Sequence, residues 1–481
     1  MKNVKNIKNL FNEKKSKKGS LAVLTLALAL AVLIGINLLF GKLNWNKDLT
    51  KNKMFTLSDQ TYKILDNLKQ DITIYGFYQS GQENYTVKTI LDQYAAHSEH
   101  IKVVYRDPSK YPQLTQKFSK DNNKIDAGSI VVENGSKFKV LNQDSFLSTT
   151  SSNSSDSSAS PSQSLAVEQN ITSGIIYVTS DKSTIIYALQ GQGEDELSSQ
   201  ITNQLSLENY AVSSINLSLK DASIKDDSIL LVVSPKRDLS APEADTIEKY
   251  LSKGGKAVFL MDLTENDLPN FQSVLNNYGL SMQRAITVEG DSSYVSQNPI
   301  YLLPEQKSHD ILSSLINNNL RVLIPGAQSI KISKNQKSSL TIEPLLTTTN
   351  KSWGKTNLKT DTLEKQSGDL NGPFNIAVAV TDKSSNAKVS DTKIVVVANA
   401  TFTNSQVVSL SNNANLDFFM NSISWAQGKR DDISVRPKAL DNYTLQVSAL
   451  NRLVASTFVV LVIPGVILII GISVWIKRRK L

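Results

Sequence analysis

The 481-residue sequence contains no cysteine and only three histidines. Without cysteine the chain can form no disulfide, thiolate nucleophile, or cysteine-ligated zinc or iron–sulfur site. His97 and His100 form an H-x-x-H pair, but no further group of metal ligands accompanies them. The sequence therefore predicts an exposed helix end at this pair, no metal site and no cofactor.

Two catalytic motifs are also missing from the sequence. The nearest candidate for a phosphate-binding loop, GGKAVF at residues 254–259, lacks the earlier glycine and the Ser or Thr that follows the lysine. No G-x-S-x-G pentapeptide is present for a serine nucleophile. The chain is therefore not predicted to hydrolyse ATP by the phosphate-binding-loop route, and nothing points to a serine hydrolase.

Two long runs without charge lie near the ends of the chain, at Leu21–Phe40 and Val454–Ile476. A helix of about 20 residues crosses a hydrocarbon core of roughly 30 Å, so each run is long enough to span a bilayer. The first run exceeds the apolar core of a secretory signal and lacks a clear cleavage site, which favours an uncleaved anchor. Both runs are predicted to be transmembrane helices.

Basic residues flank both runs on their outer sides. Residues 1–20 carry seven lysines and one acid, and residues 477–481 carry four basic residues and no acid. Basic flanks stay on the cytoplasmic side, so both termini are predicted to be cytoplasmic and residues 42–453 extracytoplasmic, in a two-pass protein of the cell membrane. Of 52 basic and 44 acidic residues, 41 and 43 remain between the flanks. The near-neutral middle excludes a nucleic-acid partner, while the basic flanks suit anionic lipid.

Composition and pattern divide the part between the runs into two α/β domains. A small domain at 42–147 begins with a helix that Ser58 caps, followed by a β-α-β order and a hairpin at Asn134-Gly135. This order predicts a thioredoxin-like outline. A serine-rich linker at 148–164 follows, because its composition cannot bury a core.

Residues 165–440 are predicted to form the larger domain. Fully apolar strands alternate with helices there, as in a doubly wound, mostly parallel sheet with helices on both faces. Leu197 and Leu205 share one face of a helix, and Ser240 and Glu243 have the spacing of a capping box. Residues 286–370 have weak periodicity and are predicted to be an insertion of short strands and loops.

Two loops follow predicted strands at their carboxyl ends, where open α/β sheets bind ligands. The QGQGE loop leads toward a predicted helix N-terminus that offers free N–H groups to an anion, and the PKRD loop precedes a capped helix. The structural alternative is a glycine turn beside a solvated charge cluster. The candidate ligand or partner residues are Gln190, Gly191, Gln192, Gly193, Glu194, Pro235, Lys236, Arg237 and Asp238.

An ordered set of segments resembles the auxiliary membrane component of a gliding-motility-type ABC transport system. The set runs from MFTLSDQTYKIL after the first apolar run through IIYALQGQGEDEL and SILLVVSPKRD to VVVANATFTNS, NLDFFMNSISWAQG and the closing KRRK. The resemblance covers most of the chain. It implies a separate permease and a separate ATPase as partners, and a substrate-binding-like or amidotransferase-like extracytoplasmic domain.

One departure from the family pattern bears on catalysis. Gln192 occupies the place where the family often has histidine in a G-H-G-E turn, and glutamine does not titrate near neutral pH. The similar amidotransferase-like domains use a cysteine nucleophile, which this chain lacks. We expect a non-catalytic auxiliary subunit, with a membrane-tethered envelope hydrolase or an envelope scaffold or adhesion protein as the alternatives.

Overall fold

The structure is a computed structural model, and it describes most of the region between the apolar runs together with parts of both runs. The described residues are 24–28, 30–35, 48, 50, 52–119, 124–150, 162–180, 184–359, 362–386, 388–428, 437–440, 453–454 and 456–479. The centre of the serine-rich linker, residues 1–20 and the last two residues of the chain lie outside this set.

The first folded part contains a four-stranded sheet in the order β2-β1-β3-β4. Strands β1 and β2 are parallel, β3 is antiparallel to β1, and β3 and β4 form a hairpin, as the sequence order predicted. The elements are α1 (Asp59–Asp66), β1 (Ile72–Phe77), α2 (Tyr85–His97), β2 (Ile101–Arg106), α3 (Pro112–Phe118), β3 (Ile130–Asn134), β4 (Lys137–Leu141), β5 (Leu147–Thr150), β6 (Ser162–Leu165) and α4 (Val167–Thr179).

Local signals account for the ends of these elements. The Ser58 side chain accepts a hydrogen bond from the Thr61 N–H at 3.3 Å, so the predicted N-cap of α1 is confirmed. Gly135 has φ +58° in the β3–β4 turn, where a glycine meets no neighbouring atom and avoids the strain of a side chain. The hairpin predicted at this position is confirmed.

Helix α4 follows the serine-rich segment in sequence but packs against the small sheet. Its Val167, Ile171 and Ile175 are buried in the same core as Ile74 of β1. Strands β5 and β6 pair at the two margins of the predicted linker. We therefore propose that the small domain extends to the end of α4 and includes both margins of the serine-rich segment.

A ten-stranded sheet forms the centre of the second part, with the main order β11-β17-β21-β22-β10-β9-β7-β8 and β15 and β18 joined beside β21. Its first elements are β7 (Thr184–Leu189), α5 (Ser199–Leu207), β8 (Tyr210–Ile215), β9 (Ile229–Val233), α6 (Ala241–Ser252), β10 (Lys256–Leu260), α7 (Pro269–Asn276) and β11 (Leu280–Gln283).

Residues 286–370 contain strands and one helix, whereas the sequence predicted only short strands and loops. These elements are β12 (Ile286–Val288), β13 (Val295–Ser296), β14 (Asn298–Leu302), β15 (Glu305–Gln306), α8 (Asp310–Asn317), β16 (Ile324–Pro325), β17 (Ser329–Ile332), β18 (Leu340–Thr347), β19 (Trp353–Lys355) and β20 (Leu370–Asn371). The chain then returns to the sheet and to the second apolar run through β21 (Asn375–Asp382), β22 (Thr392–Val397), α9 (Ser405–Leu410), α10 (Ala414–Gln427), β23 (Lys438–Leu440) and α11 (Ile463–Arg479).

The large sheet is mixed, which corrects the prediction of a mostly parallel sheet. Strands β8, β7, β9, β10 and β22 are parallel, and every pairing from β22 through β21 to β17, β11, β18 and β15 is antiparallel. Two strands of the predicted insertion, β17 and β18, pair directly with β21. Such pairing depends on contacts between distant segments, which local pattern does not encode.

Helices cover both faces of the large sheet, as the apolar strands predicted. Leu230 and Leu231 of β9 enter opposite cores because successive side chains of a strand point to opposite sides. One core includes α5, α8 and α10, and the other includes α6 and α7. Both cores are continuous across the parallel strands, so this part is a three-layer α/β structure.

Helix α5 begins later than the sequence predicted. The helical pattern was expected from the QGQGE loop onward, but α5 starts at Ser199, and the Ser198 side chain caps it by accepting from the Ile201 N–H at 3.5 Å. The acidic residues Glu194 and Asp195 therefore lie in the preceding non-helical segment. They do not form the first turn, and the QGQGE loop does not itself open onto a helix N-terminus.

One described helix is long and apolar enough to cross a membrane, at Phe458–Ile476, with a mean hydropathy of 2.9 and no residue buried within the folded part. It comprises a π-helical turn, Phe458–Val462, that continues into α11. The first apolar run contains a shorter apolar helix at Leu24–Gly35, and its flanking residues lie outside the described set.

Candidate functional site

The two predicted loops lie together at the carboxyl ends of β7 and β9, which are neighbouring parallel strands. From β7 the chain continues through α5 to β8 on one side, and from β9 it continues through α6 to β10 on the other. This divergence makes the gap between the two strands a topological switch point, the usual ligand position in an open α/β sheet. We call the two segments, 190–194 and 235–238, the switch-point loops.

Backbone contacts hold the switch-point loops against each other. The Gln192 carbonyl accepts hydrogen bonds from the N–H groups of Lys236 at 2.9 Å and Arg237 at 2.8 Å. The Arg237 guanidinium donates to the Gly191 carbonyl at 2.7 Å. Gly191 has φ +119°, and a Cβ there would lie 3.1 Å from the Asn216 carboxamide oxygen. The backbone conformation therefore favours glycine, and a side chain here would also crowd Asn216.

The Gln192 side chain is buried and points to a carboxylate beneath the loops. Its amide donates to Glu243 Oε1 at 2.9 Å, and Ser218 donates to the same oxygen at 2.7 Å. The other oxygen accepts from the Ser240 N–H and hydroxyl, both at 2.7 Å, which confirms the predicted capping box. Burial acts to raise the pKa of Glu243, but the hydrogen bonds from Ser218, Ser240 and Gln192 outweigh it and hold the pKa below its ordinary value.

The remaining acids of the loops already accept hydrogen bonds. Glu194 Oε2 accepts from the Gln192 N–H at 2.8 Å, while its Oε1 is buried with no hydrogen-bond partner among the described residues. Asp238 accepts from the Asn270 N–H at 2.8 Å and the Phe271 N–H at 3.1 Å, so it caps α7. Pro235 is buried, and Lys236 forms a 2.9 Å ion pair with Asp195. The cationic side chains of Lys236 and Arg237 are exposed and face solvent.

The three histidines occupy separate places. His97 contacts Asp66 at 2.7 Å and His100 contacts Asp71 at 2.8 Å, so the H-x-x-H pair is divided between two carboxylates. Within the described residues no group of three or more potential metal ligands occurs. His309 caps α8, where its Nδ1 accepts from the Ile311 N–H at 3.2 Å, and sequence reasoning assigned it no partner.

A second buried carboxylate, Glu168 at the start of α4, was not singled out by the sequence. Its Oε1 accepts from the Ser58 N–H at 2.6 Å and the Thr61 hydroxyl at 2.7 Å. Its Oε2 lies 2.7 Å from the ammonium of Lys438, which also donates to the Thr56 carbonyl. We call this set of contacts the Glu168 joint.

The Glu168 joint connects the segments that lie next to the two apolar runs. Thr56 and Ser58 follow the first run, and Lys438 on β23 precedes the second. Strand β23 pairs antiparallel with β6 beside the small sheet, far in sequence from that strand. A buried glutamate in a polar helix start has no local sequence signature, because all its partners are more than 100 residues away.

Comparison with family models assigns both folded parts. Residues 182–422 match the model of the auxiliary family described as an ABC-type uncharacterized transport system, and residues 51–148 match a domain of unknown function, DUF7088. No curated protein matches the chain.

Solved structures give only distant likenesses. The mmIFT52 N-terminal domain is similar at 14% identity over 51% of this chain and 97% of that one, with a TM-score of 0.36. The structure of PurLQS from Thermotoga maritima is similar at 9% identity over 50% and 98%, with a TM-score of 0.24. These scores are too low to support an argument. The family match, which spans half of the sequence and includes both switch-point loops, shows that the chain belongs to the auxiliary family of ABC-type transport systems.

Proposed function

We propose that this chain is a non-catalytic auxiliary subunit of an ABC-type transporter, anchored by two membrane-spanning helices and acting with a separate permease and ATPase. The family match supports the transport system, and the sequence lacks a phosphate-binding loop of its own. In this role the chain binds a partner or ligand outside the membrane and couples that binding to the permease.

The observation that carries the two-span arrangement is the Glu168 joint. It brings the segment after the first apolar run and the segment before the second to one place on the folded part. The described segments that follow the first run and precede the second therefore lie close together on the folded part. That arrangement suits two spans that enter the same bilayer face, with the basic flanks of both runs on the cytoplasmic side.

Binding fits the switch-point loops better than catalysis does. Asp238 caps a helix, and the Glu243 carboxylate accepts four hydrogen bonds, so both acids already have structural partners. The Arg237 guanidinium and the Lys236–Asp195 ion pair remain on the surface, and the guanidinium suits an acidic ligand or partner. The hydrolase alternative would require activity that is lost in Glu194→Gln or Asp238→Asn, with the fold preserved.

Topology can be tested with single cysteines, because the natural chain has none. We would introduce Ser16→Cys, Ser338→Cys and Leu481→Cys separately and treat intact cells with a membrane-impermeant maleimide. Ser338 is exposed in the folded part, so its cysteine should be labelled from outside. The two terminal cysteines should be labelled only after permeabilisation. Labelling of either terminus in intact cells would contradict the two-pass arrangement.

Association with the transporter is tested by purification from mild detergent. A tagged chain should recover a Walker-motif ATPase and a multi-span permease in constant ratio. The matched control is the folded part after proteolysis has removed both apolar runs. If the spans contact the permease, this fragment should no longer recover it. A monodisperse chain recovered without either partner would contradict the proposal.

A further inference from the structure

A recess on the large sheet shares no residue with the switch-point loops or the Glu168 joint. Its volume is about 330 Å³, near the lower limit of small-molecule sites. Three neighbouring strands, β15, β18 and β21, and the turns beside them form its walls. The residues that line it are Glu305, Lys307, Thr347, Thr348, Thr349, Asn350, Pro373, Phe374 and Asn375.

Three polar side chains form a row across these strands. Glu305 is directly opposite Thr347 in the β15–β18 pairing, and Thr347 is directly opposite Asn375 in the β18–β21 pairing. The β18–β21 register shifts between Leu346 and Thr347, so the row is assigned to one side of the sheet because all three residues line the recess. Neighbouring strands are about 4.8 Å apart, so the carboxylate, hydroxyl and carboxamide extend over about 10 Å.

The hydroxyl in the middle of the row is unsatisfied. Thr347 is 8% exposed, and its Oγ1 is buried with no hydrogen-bond partner within the described part of the chain. The neighbouring hydroxyls have other partners: Thr348 Oγ1 accepts from the Phe374 N–H at 2.8 Å, and Thr349 donates to Glu289 at 2.6 Å. An unpaired buried hydroxyl is costly, and a ligand hydroxyl would supply its missing bond.

The charges around the recess favour a neutral ligand. Lys307 and Glu305 are the two charged residues of its lining, and they form a 2.7 Å ion pair with each other. An added charge would therefore find no free counter-charge among the residues that line it. The remaining polar groups are hydroxyls and carboxamides, which both donate and accept, as alcohol groups of a ligand do. The Asn375 amide already donates to the Ile330 carbonyl at 3.2 Å, so Asn375 offers its carboxamide oxygen to a ligand.

From this geometry we propose that the recess between β15, β18 and β21 binds one neutral, polyhydroxylated small molecule of about the size of a single sugar ring. Glu305 accepts from ligand hydroxyls, and Thr347 exchanges a hydrogen bond with one of them. The exposed Asn350 carboxamide and the Asn375 carboxamide oxygen provide further partners. The site is independent of the proposed transporter association, because neither rests on the residues of the other.

Binding can be measured with D-glucose and N-acetyl-D-glucosamine as neutral probes and D-glucuronate as a charged probe of similar size. The full chain should be placed in lipid nanodiscs, since detergents with sugar headgroups would compete for the recess. We expect isothermal titration to give saturable binding of at least one neutral sugar at or below about 10 mM, a range that suits a small ligand with few contacts. Glucuronate should bind at least several-fold more weakly.

Two variants separate this recess from any other sugar site. Thr347→Val keeps the side-chain shape and removes the hydroxyl, and we expect it to weaken neutral-sugar binding about five-fold. Asn350→Ala changes an exposed residue and should weaken binding without affecting the fold. The matched control is Thr341→Val, an exposed position on the same strand outside the recess, which should bind as the natural chain does.

Three outcomes would overturn the proposal: no saturable binding of either neutral sugar, tighter binding of glucuronate, or neutral-sugar binding that both recess variants leave unchanged. If Thr347→Val fails to fold, Asn350→Ala alone decides the location. Recovery of the ATPase and permease should be the same for all three variants. A loss of sugar binding is thereby distinguished from a loss of transporter assembly.

Discussion

Two buried carboxylates organise different regions of this molecule in different ways. Glu243 accepts four hydrogen bonds from neutral donors on Gln192, Ser218 and Ser240, all within about 50 residues of sequence. Glu168 accepts two neutral hydrogen bonds and pairs with the Lys438 cation, and its partners come from both ends of the folded part. One carboxylate fixes local loop geometry, and the other joins remote segments.

The difference predicts which region is more sensitive to a single substitution. A buried charge that loses its counter-ion is left uncompensated, whereas a carboxylate with several neutral donors keeps most of its stabilisation when one donor is removed. The Glu168 joint should therefore depend strongly on one residue. The switch-point loops should tolerate the loss of any single contact.

The largest effect is expected for Lys438→Met. The substitution keeps the aliphatic stem but leaves the Glu168 carboxylate, which is 2% exposed, without its cation. Removing one partner of a buried ion pair costs about 3–5 kcal/mol of unfolding free energy. The measurement is urea unfolding of the full chain in nanodiscs, followed by the fluorescence of a reporter on the small sheet.

The matched control is the double variant Lys438→Met, Glu168→Gln, which removes both charges and should regain most of the lost stability. A Lys438→Met variant that loses less than about 1 kcal/mol would place this pair among solvent-exposed ion pairs. The Glu168 joint would then be no more sensitive to a single substitution than the switch-point loops are.

The next effect is expected for Glu243→Gln. The substitution keeps the side-chain size but turns one carboxylate oxygen into an amide donor, which then faces either the Gln192 amide or the Ser240 N–H. We expect a loss of about 1.5–3 kcal/mol of unfolding free energy. The folded state holds the pKa of Glu243 below its ordinary value of 4.5. Its stabilisation is therefore complete above about pH 4.5 and is lost as the pH falls through the lower folded-state pKa.

The measurement is the difference in unfolding free energy between the natural chain and Glu243→Gln, taken from pH 7 to pH 3. That difference should shrink as the pH falls below 4.5. A difference that grows toward acid pH would mean that the folded state favours the protonated acid. It would also remove the main argument against a catalytic role for the switch-point loops.

The contrast between the carboxylates also explains what the sequence could predict. The Ser240–Glu243 capping box, the Ser58 cap and the Asn134-Gly135 hairpin were all predicted, because their signals lie within a few residues. The position of both switch-point loops followed from the strand pattern alone. These features need only local chain geometry.

Features that depend on distant pairing were not predictable in the same way. The antiparallel half of the large sheet arises because β17 and β18 leave the predicted insertion to pair with β21. The Glu168 joint and the Glu305–Thr347–Asn375 row exist only after three segments have come together. No local period specifies which strands become neighbours, so the sequence showed the elements and not these sites.

A smaller effect on the unfolding free energy is expected for His309, which is a base where Glu243 is an acid. Burial lowers the pKa of His309, and the nearby Lys393 lowers it further, while Glu343 and Asp310 act in the raising direction. The neutral imidazole is therefore favoured in the folded state. Its stabilisation is complete above the ordinary pKa of 6.5 and is lost as the pH falls below that value through the folded-state pKa.

The test is His309→Asn, which keeps an acceptor for the Ile311 N–H at the helix cap and removes the titration. Between pH 7 and pH 5 the natural chain should lose more unfolding free energy than this variant. Parallel curves would show that another group titrates in this window. The result separates the contribution of His309 to the unfolding free energy from the loss expected at Glu243 below pH 4.5. The pH dependence assigned to the Glu243 carboxylate is then free of the histidine.

The smallest effect is expected for Lys236→Ala in the switch-point loops. Its ammonium pairs with Asp195 at 2.9 Å, but both side chains are about half exposed, so solvent screens the attraction. We expect a coupling free energy below about 1 kcal/mol in a double-mutant cycle with Asp195→Asn, and a smaller value at high salt. The Lys438–Glu168 pair, measured in the same way, should give a larger coupling that changes little with salt, because both of its side chains are largely buried. Equal coupling free energies with equal salt dependence would mean that burial does not distinguish the two regions. The Lys236–Asp195 pair would then stabilise the switch-point loops as much as the Lys438–Glu168 pair stabilises the Glu168 joint.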